Sequence, residues 1–235
     1  MFLTSTKLFN DPCFSSFLVM RVSFIKFFIN FFLLLFCTGC NFAQSPPPIT
    51  SSTPCPIEGN AKSDRIKELN KLKNRTALPQ ASDFDTTITL QKLLAKGEDQ
   101  KRWSSSKAVK VIGYVYDVKV GGIETCNCKT KEKDLRDTHI ELVTDPMNPD
   151  KSLRFIAEVT PRWRQEMKKK GLNWTTRALR DKYLGRWVVI EGWLMFDEEH
   201  EHQAQNTSPD GKNNWRATAW EIHPITKIEL TTRPR

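Results

Sequence analysis

The chain has 235 residues, a formal net charge of +9, a hydrophobic content of 39% and six cysteines. That length suits one domain of ordinary size with a tether, and it excludes an array of several domains; no internal repeat is visible. The charge is local, because the segment between Arg162 and Arg186 alone holds nine basic residues against Glu166 and Asp181.

In chain order, the first feature is the apolar run from Phe27 to Phe36, flanked by Arg21 and Lys26 and followed by Cys37-Thr38-Gly39-Cys40. It is too short to span a bilayer, which takes about 20 apolar residues. A basic flank, a short apolar stretch and small residues directly before a cysteine resemble a bacterial lipoprotein signal. The resemblance implies that residues 1–39 are a signal peptide and that Cys40 becomes the palmitate-bearing first residue of the mature chain. Met20 would begin a compact signal of ordinary form and is expected to be the true start. Asn41 lacks the Asp-type retention signal, which implies the outer membrane of the cell envelope. A fortuitously apolar N-terminus or a single anchor helix is the alternative.

Removing the first 40 residues takes away three basic side chains and one acidic one, leaving about 195 residues with a charge of +7. The segment from Arg162 to Arg186 carries that whole excess. An exported chain meets oxidising chemistry, so Cys55, Cys126 and Cys128 are disulfide candidates with one thiol left over. Pairing of Cys55 with either of the others, a small Cys126–Cys128 ring, metal ligation alongside His139 and a reduced state all stay open, with a disulfide to Cys55 the first choice.

Residues 40–60, rich in Pro and Ser, read as an extended tether between membrane and domain. Residues 61–106 form a helical extension: Ser63 caps a helix through Arg75 with Ile66, Leu69 and Leu72 on one face, and a second helical stretch runs from Ile88 to Lys96. From Lys107 the period changes to two. Strands are expected at Lys107 to Val120, Thr138 to Thr144, Leu153 to Thr160, Arg186 to Phe196 and Ala217 to Leu230, the last broken near Pro224. Between the third and fourth, Thr160-Pro161 starts a helix to Gly171, and Asn173 caps another ending at Gly185.

Three strands, a helical connection and two further strands resemble the OB-fold, a five-stranded Greek-key barrel, over residues 107–230. The expected class is all-β with accessory helices, and Gly113 inside the long first strand suits the bend that closes such a barrel. A small β-sandwich or an SH3-like barrel gives similar alternation. The run Gly192-Trp193-Leu194-Met195-Phe196-Asp197 with Trp220-Glu221-Ile222-His223-Pro224 is also similar to uncharacterised bacterial envelope proteins, from which no catalytic residue can be carried over.

Alternation along the strands turns Ile140, Leu142, Phe155, Ala157, Val159 and Ile222 inward, and His139, Glu141, Glu158, Glu221 and His223 outward. OB topology sets the second, third and fifth strands side by side, so these outward groups are expected to share one exposed patch. Imidazoles and carboxylates together suit a divalent metal, zinc or manganese, or general acid and base chemistry. The metal ligands expected are His139, Glu158, His223 and, from the loop after the fourth strand, His200; ordinary cross-strand pairing is the plainer reading. Trp187 and Trp220 are expected in the core. Trp215 and Arg216, with Tyr114 or Tyr116 and the carboxylates Glu141 and Glu221, are the expected ligand contacts.

The carboxylate patch would repel a phosphate chain, so single-stranded nucleic acid is not the favoured partner. The basic segment between Arg162 and Arg186 suits an anionic headgroup or polymer. The sequence therefore points to a non-enzymatic, lipid-anchored binding module for a polymeric or anionic ligand. A metal-dependent hydrolase acting on phosphodiesters and a purely structural envelope protein are the alternatives.

Overall fold

The computed structural model describes residues 55–234. The signal segment, Met20, Cys40 and most of the expected tether lie outside the described residues. Among the described residues the first regular element is helix α1 (Asp64–Lys73), where the Ser63 hydroxyl accepts the Ile66 N–H as the N-cap. A short helix α2 (Leu90–Leu94), capped by Thr89, follows and buries Leu90 and Leu93.

Five strands then close a barrel: β1 (Ala108–Val120), β2 (Thr138–Val143), β3 (Phe155–Val159), β4 (Trp187–Phe196) and β5 (Trp220–Leu230). They pair in the order β1-β2-β3-β5-β4, with β4 returning to β1. The β3–β5 contact is parallel and the other pairings are antiparallel. This is the OB-like all-β barrel expected from the element order. Strand β1 closes it by serving two partners, its first half pairing with β4 and its second half, from Tyr114, with β2. Gly113 sits at that changeover, where a Cβ would lie 2.7 Å from Leu90 and 3.3 Å from Leu142. Here the glycine admits the close approach of α2 to the barrel as much as any bend.

Inside the barrel, Val109, Val111, Val115, Ile140, Leu142, Phe155, Ala157, Ile190, Leu194 and Ile222 form a continuous apolar core. Helices α3 (Pro161–Lys169) and α4 (Thr176–Tyr183) connect β3 to β4 and contribute Trp163, Met167, Leu179 and Tyr183 to it. Thr160 caps α3 with Pro161 in the first turn, as the sequence suggests. Thr175 rather than Asn173 caps α4; the Asn173 side chain instead accepts the Thr175 N–H and closes the turn before it.

Two further expectations change. Trp187 is half-buried, edge-on to Tyr114 with ring centroids 5.7 Å apart, because it stands at the end of β4 and not in the core; Trp220 is buried. Strand β5 starts at Trp220 and runs through Pro224 without a break, since the pairing of β4 shifts register at Gly192 to accommodate it. The preceding residues 217–219 are buried but irregular. Asp99 organises them, accepting from the Thr218 hydroxyl at 2.6 Å and the Ala219 N–H at 2.9 Å.

Candidate metal centre

The strand register assembles the site. His139 of β2 stands opposite Glu158 of β3, and Ile156 and Ala157 of β3 run beside Glu221 and Ile222 of β5. Alternate residues therefore put His139, Glu158, Glu221 and His223 together on the outer wall of the barrel, with Asp137 at the entrance to β2. The juxtaposition expected from the sequence is present, but its environment is not. Those groups were expected in solvent, whereas Glu141, Glu221 and His223 have no exposed surface, Glu158 retains 2% and His139 6%.

Three pieces of the chain cover this wall. Helix α1 inserts Lys73, whose ammonium lies 2.8 Å from both Glu124 and Asp197. The β1–β2 connection is drawn against α1 by a disulfide between Cys55 and Cys128, and Asn74 donates to the carbonyls of Ile57 and Cys126. The β4–β5 connection lays Trp215 over His139, nearly parallel at 6.3 Å between centroids. Arg216 from the same connection is buried. It bonds Glu221 at 2.8 Å and the carbonyl of Thr218, so it holds the wall and is not an exposed ligand contact.

The remaining predicted residues separate by partner. Glu141 is neutralised by Lys119 and Arg154, and Arg154 also stacks on the Tyr116 ring. Tyr114 packs against Trp187, in different surroundings from Trp215, whereas Tyr116 joins the Trp215 side through Arg154, Glu141 and Lys119, whose ammonium lies 5.1 Å from the Trp215 ring. His200 bonds Asp197 at 2.7 Å and belongs to neither of the donor clusters among the described residues. In the basic segment, Arg162 binds the Cys55 carbonyl and Asn74, while Arg180 pairs with Asp117; these two serve the fold.

What is left is a cluster of Asp137, Glu158 and His223, all buried, whose donor atoms lie within 4.8 Å of one another. A tetrahedral ion with bonds of roughly 2.1 Å keeps its ligand atoms about 3.4 Å apart, so an adjustment of about an ångström closes this triad on a cation. Glu221 accepts from Nδ1 of His223 at 3.0 Å. That contact fixes the ring and leaves Nε2 as the free nitrogen, the arrangement in which a carboxylate orients a metal-ligating histidine. Nε2 of His223 has no hydrogen-bond partner, and neither do Asp137 Oδ1, Glu158 Oε2 or either nitrogen of His139. His139 Nε2 is 3.0 Å from Glu158 Oε1, within ion-pair distance but out of line for a hydrogen bond. Each such buried orphan costs about 1–3 kcal/mol, and a cation among them would satisfy several at once.

The electrostatics follow from burial and proximity. Burial works against the charged imidazole of His223, but Glu158, the hydrogen bond that the ring donates to Glu221, and Asp137 outweigh it and hold the ring protonated up to about 9 without a cation. A metal ion therefore binds there by displacing the proton on Nε2. Burial pushes the Asp137 carboxyl up to about 6. Glu158 resists its own burial because His139 and His223 hold it well below the usual carboxylate range. A second acidic group, Glu124, Cys126 and Asp137, adjoins the first. There Lys73 already supplies the positive charge to Glu124, and burial keeps the Cys126 thiol protonated. The geometry therefore offers one cation position.

The sequence points to His139, Glu158 and His223 as ligands but not to Asp137, whose only signal is its place at the mouth of β2, two residues before His139 and on the same face. Lys73 and Asp99 gave no signal, since each reads as an ordinary surface charge.

No family model matches the sequence, and no curated protein matches it. Among solved structures, the chain is similar to Entamoeba histolytica asparaginyl-tRNA synthetase at 14% identity and a TM-score of 0.28, over 60% of this chain and 24% of that one.

Proposed function

We propose that this chain is a lipid-anchored protein of the bacterial cell envelope whose barrel holds a divalent cation, zinc or manganese, in a buried centre made by Asp137, Glu158 and His223. The observation that carries the reading is the convergence of these three buried groups, with His223 oriented through Glu221 so that Nε2 is free. Two carboxylates and an imidazole are the donor set of a borderline or hard divalent ion. His139 adjoins the triad as a further nitrogen donor, and the stack of Trp215 on its ring seals that side.

A polymer lying across this wall is disfavoured, because helix α1 and the β4–β5 connection already occupy it. The lipid anchor rests on the Cys40 motif. Contact with an anionic headgroup or polymer rests on those basic residues between Arg162 and Arg186 that have no carboxylate partner among the described residues, such as Lys168, Lys170 and Lys182.

Metal analysis tests the reading. The purified protein, incubated with zinc or manganese and dialysed, should retain about one ion per chain. Glu158→Gln and His223→Ala should retain none while keeping the circular dichroism of the parent. Retention of less than about a tenth of an ion by the parent, or equal retention by both variants, would contradict it.

A further inference from the structure

A cavity of about 520 Å³ lies between the turn before β2 and the junction of α3 with α4. It falls within the size range of small-molecule sites, roughly 300–1,000 Å³. Its apolar wall is Leu135, Leu172 and Trp174, of which Leu135 and Leu172 are 38% and 50% exposed. Its charged side chains are Arg164, Lys168 and Asp134.

Arg164 is the informative member. It is 9% exposed, yet it forms no salt bridge with any described carboxylate; one Nη donates to the Arg136 carbonyl, and Nε has no partner. A buried guanidinium without a carboxylate is costly unless something supplies the opposite charge. Burial accordingly lowers its pKa, with the charges of Asp137 and Asp134 opposing without a salt bridge. Lys168, on the rim, adds a second positive charge, and Trp174 with the two leucines gives an apolar body a surface to lie against.

We infer that this cavity binds a small organic anion, a carboxylate, sulfonate or phosphate carried on an aromatic or aliphatic body, with Arg164 and Lys168 holding the anionic group and Leu172 and Trp174 the body. The groups that hold the anion are distinct from the metal ligands, although Arg164 bonds the carbonyl of Arg136 next to Asp137, and the site is of the chemistry that the basic segment suits.

Paired fluorescent probes test this. 8-Anilinonaphthalene-1-sulfonate carries the anion, and N-phenyl-1-naphthylamine has the same body without it. The sulfonate should bind the full-length protein saturably at one site, and the neutral analogue at least about tenfold more weakly, as expected for loss of a charge-assisted contact. Arg164→Met should weaken the sulfonate by a similar factor and leave the neutral probe unchanged. Because Arg164 also bonds the Arg136 carbonyl, Lys168→Met and Leu172→Glu, both at exposed positions, provide the same test without touching the interior; each should weaken the sulfonate. A chelator should leave the sulfonate bound at one site, which separates this site from the metal centre. Equal affinity for the two probes, or sulfonate binding unchanged in all three variants, would overturn the inference, as would its loss on chelation.

Discussion

At His223 the local fields set a measurable consequence. A ring that holds its proton more tightly when folded adds stability below its ordinary pKa of 6.5 and gives it up as the pH rises through about 9. Asp137, raised to about 6 by burial, acts in the same direction at lower pH. Glu158 acts in the opposite direction, but only below the ordinary carboxylate pKa of 4.5. Chelated, metal-free protein should therefore lose on the order of 3 kcal/mol of unfolding free energy between pH 6.5 and pH 9. Urea denaturation across that range measures it. His139 and His200, also raised from 6.5 against burial by their carboxylate neighbours, add to the loss, so His223→Gln should reduce the slope without abolishing it; a parent profile that is flat or rising would show that the His223 ring is neutral when folded. Gly121 is another residue fixed by the site. A Cβ there would lie 2.8 Å from Cδ2 of His139 and 2.9 Å from Nε2, so only glycine lets the imidazole sit beside β1.

Helix α1 shows how an element of weak intrinsic character becomes part of the interior. Ten residues are marginal as an isolated helix, and α1 is held through Asn70, Lys73 and Asn74, which are buried against the β1–β2 connection. Lys73 compensates Glu124 and Asp197 together. Lys73→Met should cost about 3–5 kcal/mol, the range for removing one partner of a buried ion pair, because two carboxylates then stay buried without it. A denaturation midpoint equal to the parent's would mean that the helix is not docked in solution. The strands were legible beforehand because each inner face is apolar at every second position, as in Ile140 and Leu142, and the capping of α1 and α3 was legible from Ser63 and Thr160. The cover over β2, β3 and β5 was not, since nothing in the local sequence around Lys73 or Trp215 distinguishes a side chain that crosses to another element from one that faces water. That is why His139, Glu141, Glu158, Glu221 and His223 were grouped correctly and yet expected in solvent.

Across the molecule, charge is divided by depth. Carboxylates and imidazoles are gathered under α1 and the β4–β5 connection, and much of the positive excess lies on α3 and α4, next to the cavity that holds Arg164. The proposed lipid anchor has its own test: labelled palmitate should enter the wild-type protein in bacteria, and Cys40→Ser should abolish the labelling, whereas unchanged labelling would exclude Cys40 as the anchor. The central claim concerns the ion. Crystals of zinc-loaded protein measured on either side of the zinc absorption edge should show one anomalous peak bounded by Asp137, Glu158 and Nε2 of His223, at roughly 2.0–2.2 Å from each; no peak there, or a peak only at surface residues, would contradict the account.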